Sequence, residues 1–217
     1  VVRFITFLLL FASFQVSAQK PTIKNGLKSF MRDRIIYPLY AQNNCIQGTV
    51  ELAFKLNQHG EVTYATVTKS VGADLDEEAL RLIKLSSGKW QMPPNYDTTA
   101  LVRSPIKFSL EGFGCEKNTQ ANVGLALVEY NAQMQDIKKV ISYYENKDLD
   151  VELTLNAEEV KKLIEKLAFS EGYFEKRVSI AERKILQGSL ESGCQDLKFV
   201  KYMGSDKADR LLLNHCQ

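Results

Sequence analysis

Few side chains in this sequence have the chemistry to do more than pack or solvate. They are four cysteines (Cys45, Cys115, Cys194, Cys216), two histidines (His59, His215) and an acidic run, Asp74, Asp76, Glu77 and Glu78. A structural zinc site draws on closely spaced ligand pairs, and the sequence has no C-x-x-C. His215 and Cys216 could join Cys194 on a metal, but three ligands leave tetrahedral zinc incomplete. His59 sits in a turn, Asn57 to Gly60, where a solvated role is ordinary. The acidic run opens a helix, and a helix N-terminus favours carboxylates without any metal. There is no G-x-S-x-G, P-loop, H-E-x-x-H or G-x-G-x-x-G, and Gly112 and Gly114 are two glycines near a strand end. No base, nucleophile and oxyanion donor can be assembled. The sequence reads as a non-enzyme with no cofactor and no metal.

Composition narrows the classes further. Lys plus Arg number 28 against 26 Asp plus Glu, a net +2 that is too small for a nucleic-acid binder. With 217 residues, 45% hydrophobic and 25% charged, the chain suits one large globular domain or two smaller ones.

Residues 1–18 read as a secretory signal peptide: Arg3, an apolar run from Phe4 to Phe14, then Val16, Ser17 and Ala18 before Gln19. As a helix that run rises about 16 Å, roughly half a hydrocarbon core. The mature chain, from about Gln19, is expected in the periplasm with no membrane span. In an oxidising compartment four cysteines form two bridges, with three connectivities open.

Two halves follow, with different periods. In residues 49–56, Val50, Leu52, Phe54 and Leu56 share one face and Glu51 and Lys55 the other, a half-buried strand. Residues 61–70 return as a second strand, and the differing parity of Val62 and Val67 implies a bulge between them. Asp74 and Glu77 are spaced as a capping box for a helix with Leu75, Ala79, Leu80 and Ile83 inward. Residues 101–110 form the last strand, with Val102, Ile106, Phe108 and Leu110 on one face. Pro105 makes it an edge strand.

These residues resemble a family. Tyr37 and Pro38 with Ala41, then Ile46 to Val50, Phe54, and Gly60 to Val62 are similar to the C-terminal domain of TonB. Lys69, Ser70, Gly72, the run Leu75 to Leu80, Ile83, Trp90, Pro93 and Pro105 to Phe108 continue that pattern in order. The resemblance implies an α+β fold, a small three-stranded antiparallel sheet with packed helices, over residues 24–113. It also implies a periplasmic module that grips the TonB box of an outer-membrane receptor by strand addition at its last strand. A TonB energy transducer resembles this domain carried on an uncleaved anchor and a Pro-rich spacer. Here the signal runs almost directly into Tyr37 and Pro38, so the expectation is a binding groove without the motor.

Residues 118–217 read as an all-α helical-hairpin domain. Val123, Leu127, Tyr130, Met134, Ile137, Ile141 and Tyr144 recur as a heptad seam, either a helix packed on its neighbours or a coiled-coil homodimer. Asn156 and Glu159 cap a second helix, Phe174, Val178, Ala181 and Ile185 line a third that stops at Gly188, and residues 194–203 and 205–216 close the chain around Gly204. Tyr173, Arg177, Ala181, Gly193, Cys194, Asp196, Leu197, Gly204, Ser205, Ala208 and Leu212 are weakly similar to a tetratricopeptide-type unit.

The chain order implies an antiparallel sheet with the first strand central and the third and second outside. That puts Cys45 and Cys115 at one end of neighbouring strands, while antiparallel closing helices bring Cys194 to Cys216. The candidate contact surface is Arg103, Lys107 and Ser109 on the last strand with Arg34, Tyr37 and Pro38 ahead of the first. The partner expected there is a segment of an outer-membrane receptor or another envelope protein, with no nucleic acid. The alternatives are that Tyr37 and Pro38 only pack and Arg103 and Lys107 only guard the edge, or that a structural envelope protein pairs this edge with itself.

Overall fold

A computed structural model describes residues 20–216, so the signal-peptide reading of residues 1–18 lies outside them. The described residues begin with β1 (Thr22–Ile23), α1 (Leu27–Arg32) and α2 (Leu39–Asn43). Pro38 precedes α2 with φ −62° and ψ 137°, a conformation proline prefers and from which a helix can start. β2 (Gly48–Leu56) and β3 (Val62–Lys69) form a hairpin. In its turn the Asn57 side-chain carbonyl accepts from the N–H of His59 and of Glu61, each at 2.9 Å. α3 (Leu75–Leu85), β4 (Trp90–Gln91) and β5 (Val102–Phe108) follow.

The fold is α+β. Its three-stranded antiparallel sheet runs β3-β2-β5, the order the sequence implies. Val50, Leu52, Phe54 and Leu56 are fully buried and meet Leu75, Ala79, Leu82 and Ile83 of α3, with Ile106 and Phe108 completing the face. The register of β3 slips twice, at Thr63 and Thr68, and the slips bring Val62, Ala65 and Val67 onto the core side together. A second, two-stranded sheet pairs Ile23 with Trp90. Strands of two residues carry no periodicity, so sequence reading leaves residues 90–91 as loop.

The capping box expected at Asp74 and Glu77 does not form. Asp74 sits in the left-handed region at φ 64° with no side-chain cap bond. Its carboxylate instead accepts from the hydroxyl of Tyr130, while the Asp76 carboxylate turns back to the N–H of Val71 at 2.9 Å.

Beyond a short 3-10 turn at Cys115–Lys117 the chain is helical: α4 (Gln120–Asn146), α5 (Ala157–Leu167), α6 (Glu171–Leu186), α7 (Leu190–Tyr202) and α8 (Asp209–His215). The seam of α4 is used within the chain. Val123, Leu127 and Tyr130 pack on the sheet core, and Met134, Ile137, Ile141 and Tyr144 on a second core built from α5 to α8. The Asn156–Glu159 capping box is present. α7 starts four residues ahead of the expected Cys194, and Gly193 lets it lie against α6, where an added Cβ would meet the Ala181 carbonyl oxygen at 2.9 Å. Disulfides join Cys45 to Cys115 and Cys194 to Cys216, with Cα separations of 5.5 and 5.6 Å. Among the described residues no helix is long and apolar enough to cross a membrane.

Candidate functional site

The open feature of the sheet is the outer side of β5. Among the described residues only β2 pairs with it. The opposite edge is tied down near one end, where the Val62 N–H donates to the Ser87 hydroxyl at 3.0 Å.

Which main-chain groups β5 leaves free follows from one side-chain bond. The Thr68 hydroxyl donates to the Glu51 carbonyl at 3.1 Å, so the carbonyl of Glu51 points toward β3. In a strand a residue's N–H and C=O face the same side, and successive residues alternate. Glu51 stands opposite Pro105 in the β2–β5 register. Pro105 is therefore in a pair that exchanges no hydrogen bonds, and its nitrogen faces the open side, where a missing N–H costs the ladder nothing. By alternation the main chains of Arg103 and Lys107 face outward as well. The edge offers two N–H donors, at Arg103 and Lys107, and three carbonyl acceptors, at Arg103, Pro105 and Lys107.

Side chains divide in the same rhythm. Arg103, Pro105 and Lys107 are exposed, whereas Ser104, Ile106 and Phe108 are buried. Ser109 lies just past the strand, and its hydroxyl donates to Glu111 at 3.1 Å. The next N–H, of Leu110, donates to the Gln47 side chain at 2.6 Å, which closes the ladder at that end.

The residues ahead of the sheet have other partners. Tyr37 packs edge-on against Phe108 at 5.9 Å between ring centres, and its hydroxyl donates to the Ile46 carbonyl at 2.7 Å. Burial pushes its phenol up to about 12. Tyr37 is thus beside β5, on the core face. The Arg34 guanidinium lies over the Phe30 ring at 4.2 Å and donates to the Phe30 carbonyl. Pro38 faces a cleft of about 380 Å³ between the sheet half and the helical half, lined also by Leu39, Glu77, Ile141, Arg177 and Phe199. Arg34 and Pro38 are not on the β5 edge.

Sequence reasoning missed what holds that cleft. Glu78 and Arg81, both buried on α3, pair at 2.7 Å. Glu78 accepts the Ile36 N–H at 2.8 Å, and Arg81 donates to the Arg34 carbonyl, to Gln187 and to Ser189. Half of the signal was there: Glu78 falls on the same helical stripe as Leu75 and Leu82, a place for a charge only when it is partnered, whereas Arg81, three residues on, turns off that stripe to meet Gln187 and Ser189. Across the cleft Asp196 takes Arg177 at 2.8 Å and Lys184 at 2.7 Å, and Arg177 stacks on Phe199. Among the described residues no cluster of His, Cys, Asp and Glu could hold a metal ion.

Residues 33–110 match the family model described as Gram-negative bacterial TonB protein C-terminal, and they enclose the sheet, α3 and the β5 edge. No curated protein and no solved structure matches the chain.

Proposed function

We propose that this chain, whose residues 33–110 carry a domain of the TonB C-terminal family, is an exported periplasmic binding protein. It recognises an extended segment of an outer-membrane receptor or another envelope protein by strand addition along β5, in service of TonB-dependent transport. It works by binding alone, without catalysis. The observation that carries the reading is the open β5 edge, with two outward N–H groups and three outward carbonyls in a regular row. A peptide strand would satisfy those groups in the way the next strand of a sheet does. The segment that matches the family ends at Leu110, immediately beyond this edge.

The rest of the molecule supports the edge in this reading. The Cys45–Cys115 bridge ties the lead into β2 to the exit from β5, and α4 braces the far side of the core through the Tyr40 hydroxyl on the Ala126 carbonyl at 2.8 Å. A photo-crosslinking residue placed at Lys107, with one at exposed Lys161 on α5 as control, tests the reading in envelope preparations. Capture of receptors by their periplasmic segments from position 107 is expected. Capture of such receptors from position 161 alone contradicts it.

A further inference from the structure

The β5 edge has a charge pattern of its own. Arg103 and Lys107 lie two residues either side of Pro105, all three on the outer face of the sheet. The Arg103 side chain has no partner among the described residues. Lys107 reaches only Glu111, at 3.8 Å with both side chains in solvent. One strand further in, Glu51 stands opposite Pro105 and is already matched to Lys69 at 3.6 Å. The row seen by an incoming strand is therefore cation, neutral, cation.

A strand laid along β5 places every second side chain directly opposite Arg103, Pro105 and Lys107, with Cβ atoms about 4.5–5.5 Å apart. Its alternate side chains turn to the other face, where Ile106, Phe108 and Tyr37 lie. Resting on the strand-addition reading, we infer that the edge selects a partner segment patterned acidic, apolar, neutral, apolar, acidic. The carboxylates, four residues apart, meet Arg103 and Lys107, and the neutral residue meets Pro105. The pattern reads the same in both directions, so it does not depend on strand polarity. A second copy of this chain is a poor occupant. Antiparallel pairing of two β5 strands about Pro105 sets Arg103 opposite Lys107 twice, and like charges directly opposite are unfavourable.

Three N-acetylated, C-amidated peptides, TEVTVET, TQVTVQT and TKVTVKT, titrated into the intact oxidised chain test this, with affinity and backbone amide shifts recorded together. The expected result is movement of the β5 amides and binding of TEVTVET roughly three- to tenfold tighter than TQVTVQT. High salt should close that gap. The double variant Arg103→Glu with Lys107→Glu should invert the order and favour TKVTVKT. Equal affinity of TEVTVET and TQVTVQT, with β5 amides moving for both, overturns the charge pattern and leaves strand addition standing. Self-association of the double variant without any change in peptide preference also overturns it, because the cations then only guard the edge. Silence of the β5 amides toward all three peptides defeats the inference together with the reading beneath it.

Discussion

Arg81 of α3 donates to the side-chain carbonyl of Gln187 at 2.9 Å, a bond that spans 106 residues and joins the sheet half to the helical half. The same guanidinium is held by Glu78 at 2.7 Å and itself holds the Arg34 carbonyl at 2.8 Å. One buried cation thus satisfies groups from three separate segments. Removing one member of such a pair leaves a buried charge without compensation, which costs about 3–5 kcal/mol.

Arg81→Met is therefore expected to lower unfolding stability by about 3–5 kcal/mol. Replacing Glu78 and Arg81 together by Gln and Met should cost less than the single change, because neither charge is then stranded. Denaturant unfolding of the two variants beside the parent chain checks both statements, and equal losses for the single and double variants would contradict the pairing argument.

The two disulfides should contribute unequally. They close loops of 70 and 22 residues, which in the chain-entropy account correspond to about 4 and about 3 kcal/mol. Cys45→Ser with Cys115→Ser should therefore lower the unfolding midpoint more than Cys194→Ser with Cys216→Ser. The reverse ranking, measured by denaturant unfolding under oxidising conditions, would count against it.

Gly60 has φ +75°, and a Cβ built there would stand 2.3 Å from the Trp90 carbonyl oxygen. Gly60→Ala meets both a disfavoured backbone and a backbone atom that cannot turn aside. A loss of about 1–3 kcal/mol is expected from the strain alone, with the clash added. Gly88→Ala, at φ +73° with open space around it, should show the strain without the clash and lose less.

Alkaline pH should weaken the fold. Burial raises the phenol of Tyr37 to about 12, and burial together with the Asp74 carboxylate raises that of Tyr130. Both groups have higher values folded than in an unfolded chain, where tyrosine ionises near pH 10. Their contribution is whole below about pH 10 and is lost as pH rises through the folded values. Tyr37→Phe should lower stability by about 1 kcal/mol near neutrality, from the lost bond to the Ile46 carbonyl. It should also flatten the decline between about pH 10 and 12. Unfolding curves across that range, compared with the parent chain, check the slope.

The alternation of Val50, Leu52, Phe54 and Leu56 could be read directly because every second residue meets the same core. The strand order, and with it the neighbouring positions of Cys45 and Cys115, followed from chain direction alone. Asp74 could not be read. Its spacing to Glu77 fits a cap, but the left-handed backbone and the Tyr130 hydroxyl, 56 residues away, set its role. The α4 seam showed that its residues pack inward but not that two different cores receive them. The outward direction of the β5 main chain was equally hidden, because it depends on a hydroxyl of β3, two strands away.

Backbone amide shifts on titrating the intact oxidised chain with a receptor's periplasmic segment test the central claim most directly. The account predicts that the largest changes fall on the two free N–H groups, Arg103 and Lys107, and on their neighbours in β5, while residues 123–216 change little. Shifts confined to residues 123–216, with Arg103 and Lys107 unmoved, would contradict it.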